Sequence, residues 1–209
     1  MLQYWSVKLA AVCVLVFVLQ AAIAPLTDEL ALVSADVLAR PWTLVTSMFA
    51  HGGFEHLFYN MFALLLFGTV LERIIGGKTF LAIYFFAGLA GSLATLPLYA
   101  ASLGASGAIF GLLGALAILR PRMIVYVSYV PMPMVVASFV WAAIDLVGLF
   151  VPSGTANAAH LAGLGVGLLA GLYLKREYGE TVAPRSKTPN IPEGKMRSWE
   201  NRWLIGRRA

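Results

Sequence analysis

A serine between small residues opens one apolar segment of the chain, in the sequence Gly104-Ala105-Ser106-Gly107. The apolar run from Ser106 stops before Arg120, so a helix there would be about 21 Å long at ~1.5 Å per residue. Because the hydrocarbon core of a bilayer is roughly 30 Å thick, a helix that ends at one membrane face at Arg120 would begin below the other. The hydroxyl is therefore predicted to lie inside the membrane, where a neighbouring base could make it a nucleophile.

The histidines of the chain supply candidate bases and hydrogen-bond donors. His160 comes about one turn into the last apolar segment. His56 begins the second segment, with Asn60 one turn later on the same helix face. His51, in the preceding loop, is assigned a structural role. Polar side chains are costly inside a membrane, so by default they face the bundle interior and mark a functional site.

The composition indicates a membrane protein. Of the 209 residues, 60% are hydrophobic and 12% are charged, and the mean hydropathy is +0.81, far from the average of soluble proteins. The single cysteine, Cys13, lies in an apolar run, which excludes a disulfide framework and a cysteine-based metal site. Nine of the fifteen Lys and Arg residues fall in 175–209, so the net charge of +5 indicates a basic tail and not nucleic-acid binding.

Six apolar segments predict an all-α polytopic membrane protein, with a six-helix bundle in residues 1–175 and a short, recessed fourth helix. They cover residues 6–25, 56–75, 79–100, 106–119, 123–150 and 156–174. Pro131 and Pro133 predict that the fifth helix proper begins after Pro133. The connection 26–55 is predicted to lie at the interface without spanning, and residues 176–209 to form a mobile basic tail.

The loop charges predict the orientation. Basic residues lie near the N-terminus, between the second and third segments, after the fourth and after the sixth. They are Lys8, Arg73, Lys78, Arg120, Arg122, Lys175 and Arg176. The opposite loops carry only Arg40 as a cation. Because basic loops stay in the cytoplasm, both termini are predicted to be cytoplasmic and Ser106 to lie toward the external side.

Residues 1–24 also resemble a signal peptide, with Lys8, an apolar run and the triplet Ala22-Ile23-Ala24. Pro25 directly follows the triplet and argues against cleavage, so the segment is assigned as a helix.

The chain resembles the rhomboids, a family of intramembrane serine proteases. The matching motifs are Gly104-Ala105-Ser106-Gly107, Ala159-His160-Leu161-Ala162-Gly163 and His56-Leu57-Phe58-Tyr59-Asn60, with agreement also at Glu72-Arg73, Trp42 and Asp145. The resemblance covers residues 1–175 and is specific, because the three motifs occur together. It implies a six-helix core, a Ser–His catalytic dyad and hydrolysis of peptide bonds in or near transmembrane segments of other proteins.

The resemblance implies roles for individual residues. Ser106 would be the nucleophile and His160 the general base, which later protonates the leaving amine. His56 and Asn60 would donate to the oxyanion beside the backbone N–H of Ser106. The alternatives are close helix packing for Ser106 and polar interhelical contacts for His56 and Asn60. No acidic third member is expected, and Asp145 is assigned to a contact between helices or at an interface.

Glycines recur along two predicted helices, the fourth at Gly107, Gly111 and Gly114, and the sixth at Gly163, Gly167 and Gly171. Such small faces allow helix backbones to approach closely, which would bring His160 to Ser106.

Two positions depart from the usual pattern of the family. Thr43 follows Trp42 where many members have arginine, so different polar contacts are expected to hold the first loop. Phe110 stands where a tyrosine often stacks on the catalytic histidine, and it can stack without the hydroxyl. Neither change removes a reacting group.

Other classes of membrane protein fit less well. A zinc protease would need a motif such as His-Glu-x-x-His, which does not occur, and an aspartyl protease would need a second aspartate beside Asp145. A transporter would explain buried polar residues, but the segments show no two-half repeat. The remaining alternative is a rhomboid-like pseudoenzyme that binds membrane-protein clients, against which the retention of Ser106 and His160 together argues.

The predicted partners are transmembrane protein substrates and the lipid bilayer, with no nucleic acid, no cofactor and no metal. The compact form, without a seventh helix, predicts a prokaryotic cytoplasmic membrane.

Overall fold

The computed structural model of the chain describes residues 3–151 and 154–179. The helices in this part of the chain are α1 (Trp5–Ala22), α2 (Leu26–Leu30), α3 (Thr43–Thr46), α4 (Phe54–Ala63), α5 (Thr69–Ile75), α6 (Gly77–Thr95), α7 (Ser106–Leu119), α8 (Met134–Gly148) and α9 (Asn157–Tyr178). A π-helical stretch, Leu64–Gly68, joins α4 to α5, and a 3₁₀ turn covers Ser34–Asp36. The short strands are β1 (Leu32–Val33), β2 (Ala101–Ser102), β3 (Ile124–Val127) and β4 (Val130–Pro133).

Each of the six predicted apolar segments contains at least one helix. Four helical segments are long and apolar enough to cross a membrane, namely Trp5–Ala22, Phe54–Ile75, Gly77–Thr95 and Asn157–Tyr178. The apolar helices α7 and α8 are shorter. The prediction of an all-α membrane protein with a short fourth helix is therefore confirmed. Of the predicted tail, residues 176–209, the first three residues are the end of α9, and residues 180–209 lie outside the described part of the chain.

The segment predicted at 123–150 divides into a β-hairpin and a helix. Strands β3 and β4 pair antiparallel, with Ile124 opposite Pro133, and α8 begins directly after Pro133. The helix start agrees with the prediction from the prolines, since Pro fixes φ and is tolerated at the beginning of a helix. The hairpin itself was not predicted. The boundary predicted at residue 100 was also wrong, because α6 ends at Thr95.

The long connection 26–55 contains short elements tied to the bundle by polar contacts. Strand β1 pairs with β2, which ends shortly before α7 begins. The Thr43 hydroxyl donates to the carbonyl oxygen of Arg40 at 2.7 Å, and the Ser92 hydroxyl of α6 donates to the carbonyl oxygen of Leu44 at 2.8 Å. The threonine in place of arginine is thus accompanied by local hydrogen bonds that hold the loop, as expected.

Helices α7 and α9 approach each other at the predicted glycines. A Cβ on Gly163 would overlap the carbonyl oxygen of Gly107, and a Cβ on Gly167 would overlap that of Gly111. Helix α6 lies against the same pair, since a Cβ on Gly91 would be 3.0 Å from the carbonyl oxygen of Ala159. This close approach at the glycines brings the N-terminal ends of α7 and α9 together.

Alanine at Gly163 should destabilise the bundle, because its Cβ has no space beside the Gly107 carbonyl. Overpacking of this kind typically costs about 1–3 kcal/mol. Gly165 lies on the same helix, and a Cβ there meets nothing within 4 Å. Gly165→Ala is therefore the matched control, and its better helix propensity should leave stability unchanged or raised. Thermal unfolding in detergent compares the two variants, and equal midpoints would contradict the packing model.

Candidate active site

Ser106 and His160 are in hydrogen-bond contact. Ser106 is the first residue of α7, and His160 lies in the first turn of α9, so the glycine contact places both at the same end of the bundle. The Nε2 atom of His160 is 2.8 Å from the Ser106 Oγ, a normal length for a hydrogen bond. An unprotonated imidazole nitrogen at this position can take the hydroxyl proton when the oxygen attacks an electrophile.

Asp145 of α8 contacts the other ring nitrogen of His160. Its Oδ1 atom is 2.9 Å from His160 Nδ1, and both residues are buried. The prediction of an interhelical contact for Asp145 is confirmed. The prediction that no acidic group would accompany the serine and histidine is wrong. The sequence did carry a signal, a lone carboxylate well inside an apolar segment, but it did not indicate the partner.

Phe110 covers one face of the His160 ring. The two ring centroids are 4.2 Å apart, and the planes differ by 8°. Phe110 lies one helical turn after Ser106, so the same helix supplies the hydroxyl and the stacking surface. The expected stacking is confirmed, and it restrains the tilt of the imidazole toward Ser106.

His56 and Asn60 line the same cavity as Ser106 and His160, which has a volume of about 1570 Å³. The His56 ring lies against Gly104, where a Cβ would be 2.7 Å from its Cε1 atom. Gly104 has φ +122°, a conformation that other residues rarely adopt. Glycine at this position therefore permits the backbone turn before α7 and leaves space for the His56 ring.

The side-chain amide of Asn60 is buried and donates one hydrogen bond within its own helix. Its Nδ2 donates to the carbonyl oxygen of His56 at 2.8 Å. Its Oδ1 is buried without a hydrogen-bond partner in the described part of the chain. Because an amide nitrogen carries two hydrogens, one donor remains for another acceptor. The backbone N–H of Ser106 is a further donor, since the first N–H groups of a helix have no intrahelical acceptor.

His51 holds the loop before α4 through its backbone. Its N–H donates to Gln20 Oε1 at 3.1 Å, and Gln20 Nε2 donates to its carbonyl oxygen at 3.2 Å. Burial lowers the pKa of His51 to about 4, and the neighbouring His56 adds to the decrease. These contacts are compatible with the structural role predicted for His51, which stays a prediction. Gln20 was missed, although an amide within an apolar helix is itself a signal.

The cavity continues from the serine between α4 and α8, where its lining is apolar. Ala63, Phe67, Leu113 and Trp141 form this part of the wall. The Phe67 and Trp141 rings meet edge to face, with centroids 6.2 Å apart. The cavity therefore combines the polar pair of Ser106 and His160 with an apolar wall.

The fold and this site define a multi-pass membrane protein with a serine–histidine pair inside its helix bundle. Residues 38–177 match the family model of the Rhomboid domain. The chain belongs to the rhomboid family.

Several curated relatives carry rhomboid names. The chain is 35% identical to Rhomboid protein 1, mitochondrial, of Saccharomyces cerevisiae over 156 residues, 69% of this chain and 45% of that protein. It is 43% identical to Putative rhomboid protease YdcA of Bacillus subtilis over 76 residues, 35% of this chain and 38% of that protein. Rhomboid protease GluP of the same bacterium is 49% identical over 76 residues, 36% of this chain and 15% of that protein. The matched regions thus cover less than half the length of each of these relatives.

Removal of the Phe110 ring should slow the reaction of Ser106 with a fluorophosphonate probe, because the His160 imidazole loses its stacking surface. An aromatic pair is worth about 0.5–1.5 kcal/mol, which corresponds to a decrease of about two- to tenfold for Phe110→Leu. Phe110→Tyr keeps the ring and should label at the wild-type rate. Labelling rates of the purified proteins test this, and an unaltered rate for Phe110→Leu would show that stacking does not position His160.

Proposed function

We propose that this protein is an intramembrane serine endopeptidase that hydrolyses peptide bonds in or near transmembrane segments of membrane proteins. The observation that carries the proposal is the 2.8 Å contact between His160 Nε2 and Ser106 Oγ at the wall of a large cavity in an apolar bundle. The rhomboid proteases among the relatives support it.

The reaction begins when Ser106 Oγ attacks the carbonyl carbon of the scissile bond and His160 Nε2 takes the hydroxyl proton. The resulting tetrahedral intermediate carries a negative oxygen. His160 then gives its proton to the amide nitrogen, and the C–N bond breaks. The amine product departs, and the acyl part of the substrate stays on Ser106 as an ester. Water, deprotonated by His160, hydrolyses the ester by the same two steps and restores the serine.

Three donors are proposed to bind the oxyanion. The Ser106 N–H lies at the start of α7, where the helix dipole also favours negative charge. His56 and Asn60 line the same cavity, so the His56 imidazole and the second Asn60 Nδ2 hydrogen are proposed to add hydrogen bonds. Such donors accelerate the reaction because they bind the transition state more strongly than the substrate carbonyl.

The proposed substrates are transmembrane proteins, because the cavity wall between α4 and α8 is apolar and the surrounding medium is the bilayer. The basic loops support cytoplasmic termini and a site that opens toward the external side. These relatives come from a bacterium, a yeast and a plant, and the prokaryotic cytoplasmic membrane stays a prediction.

Ser106→Ala and His160→Ala should each lower kcat by about 10⁶-fold, since each group is ineffective without the other. The assay incubates purified protein with a panel of transmembrane substrates and maps the products by mass. Ser102→Ala is the matched control, because Ser102 lines the same cavity without contacting His160. Wild-type cleavage by a folded Ser106→Ala or His160→Ala protein would remove that residue from the mechanism.

A wild-type protein that binds these substrates but neither cleaves them nor reacts with a fluorophosphonate would be the pseudoenzyme.

His56→Ala and Asn60→Ala should lower kcat more than they raise KM, because oxyanion donors act mainly in the transition state. Loss of one such donor typically costs about 10²–10³ in kcat, and shared donors reduce the cost of each single loss. The comparison uses both single variants and the double variant on one reconstituted substrate. Tyr59→Phe is the control, since Tyr59 lines the cavity from the same helix. An unchanged kcat in all three variants would leave His56 and Asn60 as structural contacts.

A further inference from the structure

We propose that Asp145 positions His160 for catalysis, so that this chain works with a Ser–His–Asp triad in place of the dyad that the family resemblance implies. The inference rests on the proposed function of Ser106 and His160. It concerns a residue that interacts with the base and does not itself touch the substrate.

The three side chains form a continuous hydrogen-bonded chain. Asp145 Oδ1 is 2.9 Å from His160 Nδ1, and His160 Nε2 is 2.8 Å from Ser106 Oγ. A neutral imidazole carries a hydrogen on one nitrogen, and an ionised carboxylate can only accept. A hydrogen bond at Nδ1 therefore requires the hydrogen there, which leaves a lone pair on Nε2 directed at Ser106. The carboxylate selects the tautomer that can act as a base.

The stacking of Phe110 on His160 cannot select the tautomer of the imidazole. Phe110 lies parallel to the imidazole, within 8°, and contacts a face that is nearly the same whichever nitrogen carries the hydrogen. Phe110 fixes the plane of the ring, whereas Asp145 fixes the rotation of the ring within that plane and the position of its proton. The two neighbours therefore have separable effects.

The carboxylate also acts on the charge that develops during the reaction. The side chains of Asp145 and His160 are 7% and 11% exposed. A negative group in such a place stabilises the imidazolium that forms when His160 takes the serine proton, and water screens this attraction little. The interaction strengthens as the transition state is approached, so it should appear in kcat more than in KM.

A purely structural role predicts a different result. If Asp145 only joined α8 to α9, its loss would lower the free energy of unfolding and leave the chemistry of the folded fraction intact. Asp145→Asn keeps the size of the side chain, but its amide can donate to Nδ1 and so favour the tautomer with Nε2 protonated. This substitution separates the two roles.

The first experiment compares Asp145→Asn with wild type in cleavage and in fluorophosphonate labelling, with thermal unfolding measured alongside. We expect both rates to fall by about 10²–10⁴-fold, up to the loss that the same change causes in a soluble triad, with KM nearly unchanged. Ser138→Ala is the matched control, since Ser138 is a buried polar residue of the same helix, and it should keep both rates. A folded Asp145→Asn protein with wild-type rates would overturn the proposal.

A second measurement on the wild-type protein makes the test independent of the variant's folding. Nitrogen-15 spectra of histidine-labelled protein in detergent report the tautomer of each neutral imidazole, and His160→Ala identifies the His160 signals. The proposal requires the hydrogen on Nδ1, and a hydrogen mainly on Nε2 would overturn it. If the wild-type protein neither cleaves nor labels, the proposed function fails, while the tautomer still decides whether Asp145 orients His160.

Discussion

The close approach of α7 and α9 is the constraint on which the site depends. Ser106 and His160 are far apart in the chain, and they meet because Gly163 and Gly167 leave room for the backbone carbonyls of the facing helix. Membrane helices gain little from burying apolar side chains against each other, since lipid is equally apolar, so backbone contact and van der Waals packing hold them together. The contact that stabilises the bundle is therefore also the contact that sets the distance between Ser106 and His160.

Several buried polar groups in this bundle are paired with one another, because an unpaired polar group in an apolar interior is costly. The Glu72 carboxylate accepts hydrogen bonds from the first backbone N–H groups of α1, from Trp5 at 2.7 Å. Gln20 pairs with the backbone of His51 in the same way. The pair of Asp145 and His160 follows the same physical rule, with the difference that His160 also contacts Ser106. Scaffold and site are thus built from the same kind of interaction.

Much of the helical architecture could be predicted, because membrane helices are marked by length and apolarity along contiguous residues. Pro133 even marked the start of α8, since proline fixes local backbone geometry. The β3–β4 hairpin was missed because its strands are short and apolar, and periodicity does not distinguish such strands from the start of a helix. The end of α6 was placed five residues late for a related reason, since hydropathy continues past Thr95 into the following turn.

The sequence by itself determined the six helical segments, the loop that carries His51, and the residues Ser106 and His160, because motif spacing and the cost of polar groups in lipid are local properties. Only the tertiary structure decided the partner of Asp145. A loop separates it from His160, and the packing of α8 against α9 sets the direction of its carboxylate. The placement of Gln20 against His51 was likewise a tertiary outcome. A pattern along the chain shows that a buried polar group needs a partner, whereas the choice of partner is made where helices meet.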